Sequence, residues 1–147
     1  MDKYFLAFPF SQFCDEDSDI LTDEAKIFFE NLTNLFKENG IDYYSAHERE
    51  KWGSTYNSDV ESTKIDYDSL KKCNKVICMP GIPYSGGVHI ELGWATVLNK
   101  RIYLLLEKGK EYSPLVTGIT GIVDVQIFYY EDFYTEIIPL IKKILDI

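Results

Sequence analysis

The stretch from Lys75 to Lys100, KVICMPGIPYSGGVHIELGWATVLNK, constrains this chain more than any other. It opens on a short apolar run, Val76-Ile77-Cys78-Met79, closed by Pro80-Gly81, and this predicts a buried strand. A loop rich in Gly and Pro follows, and then the pattern turns helical. Val88, Glu91, Ala95 and Leu98 fall at i, i+3, i+7 and i+10, so they share one helix face. Three of these are core-type residues. The fourth is a carboxylate, expected in the first turn, partly desolvated yet near the positive end of the helix dipole. From position alone, such a glutamate could do no more than offset the dipole. The preceding Ser85-Gly86-Gly87 changes the reading, because it offers a hydroxyl and free backbone N–H groups, the materials of an anion site. A phosphate cradle one turn from a carboxylate suggests a site for a phosphorylated sugar.

The rest of the chain alternates around this unit. Tyr4 to Phe10 is a continuous apolar run and reads as a first buried strand. After an acidic loop at Asp15 to Asp19, Thr22 is placed to cap a helix that runs to Asn39 and stops at Gly40. Its apolar stripe is Ala25, Phe28, Phe29, Leu32, Leu35 and Phe36, which requires packing and nothing more. Ile41 to Ala46 predicts a second strand, followed by HEREKWGSTYNS, long and non-periodic for a simple connection and therefore of functional interest. Asp59 to Cys73 reads as a helix in which Asp66, Leu70 and Cys73 point to the core, while Asp68 sits where it can pair with Lys72. Arg101 to Leu106 and Val123 to Tyr130 predict two more strands. A last helix spans roughly Phe133 to Leu145, with Pro139 expected to kink it or limit its first part. The pattern specifies an α/β fold, a single doubly wound (Rossmann/flavodoxin-like) five-stranded, mainly parallel sheet with helices on both faces. Residues 1–147 form one domain. Ligands bind such sheets at the carboxyl ends of the strands, which here gathers Pro9 to Ser11, His47 to Trp52 and Gly81 to Gly87.

Composition narrows the partners. With 24 acidic against 15 basic residues the net charge is −9, which argues against nucleic acid. No apolar run approaches the roughly 20 residues of a membrane span. Cys14, Cys73 and Cys78 are odd in number and lack metal spacing, and read as free thiols in a reducing cytoplasm. With two histidines and no clustered ligands, no metal site is expected.

Five blocks in order now carry a resemblance: FLAFPF (Phe5 to Phe10), AHEREKWG (Ala46 to Gly53), IDYDSLKKCNKVICMPGIP (Ile65 to Pro83), SGGVHIELGWA (Ser85 to Ala95) and LLLEKGKEYSPLVTGI (Leu104 to Ile119). Over nearly its whole length the chain resembles the nucleoside 2-deoxyribosyltransferase superfamily. Within it, the likeness is to the nucleotide N-glycosidases of the CMP and hydroxymethyl-CMP N-ribosidase kind, from the blasticidin S and mildiomycin pathways.

The resemblance implies that Glu91 is the nucleophile, forming a covalent glycosyl-enzyme, and that Asp66 assists departure of the base or activates water. It implies a 5′-phosphate site at Ser85, Gly86 and Gly87. It implies that Ser113 reaches the phosphate of a neighbouring subunit in a homodimer, and that His47 and Arg49 line the substrate site. Phe8 and Ser11 stand where the hydroxymethyl-CMP enzymes have a glycine and an arginine, so these two positions are expected to bear on the base. The substrate is then a small nucleotide, with no cofactor. On the residues alone, Asp66 could instead be a helix-edge carboxylate paired with Arg49, His47 a structural hydrogen-bond partner, Phe8 a core residue, Trp52 packing and Tyr84 a loop anchor. Base exchange by a deoxyribosyltransferase, and an NAD-cleaving or nucleotide-sensing domain, stay open as alternatives. The exact base, and ribose against deoxyribose, are not specified.

Overall fold

The computed structural model describes residues 1–53, 57–81 and 85–147, and the predicted Tyr84 anchor lies outside them. The strands are β1 (Lys3–Ala7), β2 (Asp42–Ser45), β3 (Lys75–Cys78), β4 (Arg101–Glu107) and β5 (Val125–Tyr130). They pair in the order β2-β1-β3-β4-β5, and every pairing is parallel. The helices are α1 (Asp23–Glu38), α2 (Ala46–Arg49), α3 (Asp59–Lys72), α4 (Gly86–Val97), α5 (Pro114–Thr117) and α6 (Phe133–Leu145).

Two cores result, one on each face of the sheet. Side chains alternate along a strand, so Tyr4 and Leu6 of β1, Ile77 of β3 and Tyr103 and Leu105 of β4 pack under α1 and α6. Phe5 and Ala7, Val76 and Cys78, and Ile102, Leu104 and Leu106 face α3, α4 and α5. Apolar residues on both faces are the signature of a parallel sheet covered on both sides, and explain why these strands read as continuous runs.

Local chemistry sets the helix ends. Thr22 caps α1 by accepting from Ala25 N at 3.2 Å. Ser58 and Glu61 form a reciprocal capping box on α3. Ser85 caps α4 through Val88 N at 3.3 Å. Because the helix takes up Gly86 and Gly87, Glu91 lies in its second turn rather than the first. Asp68 pairs with Lys71 at 3.5 Å, not with Lys72. Inside the segment expected to be a long loop, Ser45 accepts from Glu48 N at 3.2 Å and starts the single turn of α2. The first strand ends at Ala7, before Pro9, and the fifth begins at Val125. Helix α6 runs on through Pro139.

Candidate active site

The strand order reverses between β1 and β3, and the elements leaving their carboxyl ends define the site. Gly81, at φ +78°, makes the turn out of β3. A Cβ there would meet the Gln12 side chain at 2.3 Å and the Pro9 ring at 2.9 Å, so only glycine lets this turn close on the β1 exit. Helix α4 then presents Gly87, Ile90, Glu91 and Trp94 to a cleft whose other wall is Thr63 and Asp66 of α3. The cleft measures about 150 Å³ and is open at its mouth. Tyr67 of α3 meets Trp94 edge-on at 5.2 Å and joins the two walls. Val88, Leu92 and Ala95 bury the adjoining face of α4 against the sheet, so Glu91 stands at the edge between the core and the cleft.

The two carboxylates of the cleft have different surroundings. Burial, with the Asp66 charge second, pushes the Glu91 carboxyl up from 4.5 to about 8. In the second turn of α4 the helix dipole has largely faded. Asp66 Oδ1 accepts from the Tyr44 hydroxyl at 2.6 Å and lies 3.6 Å from Arg49 Nη2. Arg49 Nε donates to the Tyr44 oxygen at 2.8 Å, and its Nη2 to Glu50 Oε1 at 3.1 Å. The Asp66–Arg49 pairing weighed from the sequence is therefore present, in an environment that also makes Asp66 part of the cleft. Burial raises the Glu50 carboxyl, against the lowering effect of Arg49.

Of the other expected site residues, Gly87 lines the cleft and Arg49 stands beside Asp66, while His47, Phe8, Ser11 and Ser113 fall elsewhere. Gly86 and Gly87 are exposed at the amino end of α4, with nothing near where a Cβ would stand. His47 turns to the opposite face of the sheet from Arg49. It is buried, lies 3.2 Å from the Phe8 carbonyl through Nε2, and stands edge-on to Phe29 at 4.3 Å. Phe8 is buried in the same core, edge-on to Phe29 at 5.7 Å. That is where the even positions of β1 point, so the structure does not bring Phe8 or His47 to Glu91. Ser11 is exposed in a 3-10 turn, Ser11–Phe13. Ser113 caps α5 by accepting from Leu115 N at 3.2 Å. Trp52 packs on the α1 face. Glu48 pairs with Lys37 at 2.8 Å and accepts from the Tyr43 hydroxyl. Among the described residues no cluster of His, Cys, Asp and Glu suits a metal ion, and no helix is long and apolar enough to cross a membrane.

Tyr44, Glu50, Thr63, Ile90 and Trp94 were not singled out by the sequence. Part of the signal was there. Gly87, Ile90 and Trp94 are spaced by three and four, and Thr63 precedes Asp66 by three, so two helical stripes were legible. Tyr44 is the register partner of Phe5, which could be known only from the pairing of β2 with β1.

Neither a family model nor a curated protein sequence matches the chain. Solved structures do. The CMP N-glycosidase BcmB of Clostridium botulinum is 29% identical with TM-score 0.73, covering 99% of this chain and 100% of that one. BlsM, a solution structure, is 33% identical with TM-score 0.76, covering 98% of this chain and 86% of that one. A conserved protein from Enterococcus faecalis V583, at 15% identity and TM-score 0.61, shares the fold. With likeness of this extent to BlsM and BcmB, and two carboxylates in one cleft at the switch point of the sheet, the chain belongs to the nucleotide N-glycosidases of the blasticidin and mildiomycin type.

Proposed function

We propose that this enzyme, a cytoplasmic homodimer, hydrolyses the N-glycosidic bond of a pyrimidine nucleoside 5′-monophosphate, CMP or a close analogue. The products are the free base and (deoxy)ribose 5-phosphate, and the route is a covalent glycosyl-Glu91 intermediate. The observation that carries the reading is the cleft lined by both Glu91 and Asp66, next to the amino end of α4. The Glu91 carboxylate attacks C1′ as the C1′–N bond breaks. The bonding electrons leave with the base, which takes a proton from solvent. Water then attacks C1′, gives a proton to Asp66, and frees the Glu91 carboxylate; Asp66 returns the proton to solvent. Charge on the oxocarbenium-like transition state is stabilised by the same carboxylates. Ser85 and the N–H groups of Gly86 and Gly87 hold the 5′-phosphate, and this remote contact supplies positioning. Ser113 of a neighbouring subunit adds to that contact.

Incubation with a panel of nucleoside monophosphates, followed by chromatography for free base, tests the reading. CMP or a 5-substituted or deoxy form leads the panel and far outpaces cytidine, and Ser85→Ala narrows that preference. A purine monophosphate in the lead overturns the pyrimidine assignment, and equal rates on CMP and cytidine favour base exchange by a transferase.

One observation favours a second reading. With its carboxyl at about 8, Glu91 holds a proton at neutral pH and could serve as general acid to the departing base. The pH profile separates the two. A nucleophile gives kcat/KM rising through about pH 8, with Asp66→Asn moving that limb to lower pH, while an acid gives a profile falling over the same range.

A further inference from the structure

The Tyr44 hydroxyl stands between Arg49 and Asp66. Its place is set by the sheet: Tyr44 pairs in register with Phe5, and the two rings stack at 5.3 Å and 26°. Arg49 Nε donates to the phenol oxygen at 2.8 Å, which directs the phenol proton to Asp66 Oδ1 at 2.6 Å. Burial and the Asp66 carboxylate raise the Tyr44 hydroxyl well above the usual phenol range, so it stays a donor. Arg49 is itself held by Glu50 at 3.1 Å. One oxygen of Asp66 is thus committed. Among the described residues Oδ2 takes no hydrogen bond, and Asp66 lines the cleft with Glu91.

We propose that Tyr44 is a positioning residue of the glycosidase: its hydroxyl, oriented by Arg49, anchors Asp66 by Oδ1 and leaves Oδ2 to serve the cleft. This rests on the reading of Asp66 as the second carboxylate of the reaction. Without the anchor, Asp66 is free to swing onto Arg49 and away from Glu91. The charged group that acts on Glu91 is Asp66 from α3, with Arg49 and Glu50 standing behind Asp66; the Cys78 thiol of β3, raised by burial and by the Glu91 charge, faces it from the sheet as a neutral group. Release of Asp66 therefore relaxes Glu91.

Tyr44→Phe keeps the ring on Phe5 and removes only the hydroxyl. It lowers kcat by roughly ten- to a hundredfold, as expected for a misplaced catalytic group, and leaves KM within about twofold. In an Asp66→Asn background the same change costs less than about twofold, because the two residues act as one unit. Equal losses in both backgrounds overturn the proposal. A second readout does not depend on turnover: a carbon-detected NMR titration of the Glu91 carboxyl in the free protein. Its midpoint falls in Tyr44→Phe, as it does in Asp66→Asn, and an unmoved midpoint overturns the proposal. Absence of base release by the wild type counts against the function, whereas an unmoved midpoint counts against Tyr44, so the two failures are told apart.

Discussion

On the α3–α4 side of the sheet Glu91 opens onto a cleft of about 150 Å³, whereas on the α1–α6 side His47 sits among Leu6, Phe8, Phe29, Leu32 and Ser45 with no room for a water. Both groups are titratable and sit at the carboxyl edge of the sheet, and burial shifts both. It pushes Glu91 up to about 8 and His47 down to about 4, so each is kept neutral at neutral pH. What differs is access. Glu91 has space for a ligand and a second carboxylate across it, while His47 ties the β1 exit to α2 through the Phe8 carbonyl and is sealed by aromatic rings. A perturbed group marks a site of chemistry when it adjoins open volume; enclosed by rings, it marks a structural joint.

The largest expected effect is on the open side. Glu91→Ala lowers base release by on the order of a thousandfold or more, about 4 kcal/mol, with the fold kept, since the residue borders a cleft. A folded Glu91→Ala protein within tenfold of wild type would erase the distinction between the faces.

Phe8→Ala acts on the sealed side. It costs about 3–4 kcal/mol of stability by emptying the space against Phe29, and leaves the order of substrates unchanged in protein that still folds. A changed base preference with stability intact would return Phe8 to the substrate site.

The pH slopes are shallower, about 1.4 kcal/mol per pH unit at most for each group, and their signs oppose. Glu91 has a folded value raised from 4.5 to about 8, so the folded protein binds the extra proton and stability falls as pH rises through that window. His47 has a folded value lowered from 6.5 to about 4, so the unfolded chain binds the extra proton and stability falls as pH drops through that window, by about 3 kcal/mol at most. Melting temperatures across pH, measured for wild type and Glu91→Gln, check both signs. The variant loses the alkaline slope and keeps the acid one.

The same contrast explains how far the sequence could be read. Strands β1, β3 and β4, buried on both faces, were legible as apolar runs, α1 by its Thr22 cap and its periodicity, and α3 by its stripe alone. Glu91 and Asp66 were legible because a carboxylate on a core-facing stripe is conspicuous. The start of α4 was not, since two glycines read as loop until Ser85 caps them into the helix. The motif Ala46 to Gly53 reads as one polar cluster, yet the single turn of α2 sends His47 to one face and Arg49 to the other. Phe8 and Tyr44 depend on strand register, which a run of apolar or aromatic residues does not encode: the first is taken into the α1 core and the second is brought to Asp66.

The most direct test of the account is to trap the intermediate. An arabino analogue of CMP with fluorine at C2′ slows breakdown of a glycosyl ester, because the electron-withdrawing atom destabilises the oxocarbenium-like state through which water must attack. Peptide mass spectrometry after incubation is predicted to find the sugar phosphate on Glu91 and nowhere else. Release of cytosine from the analogue with no sugar on the protein, or the sugar on Asp66, would contradict the account.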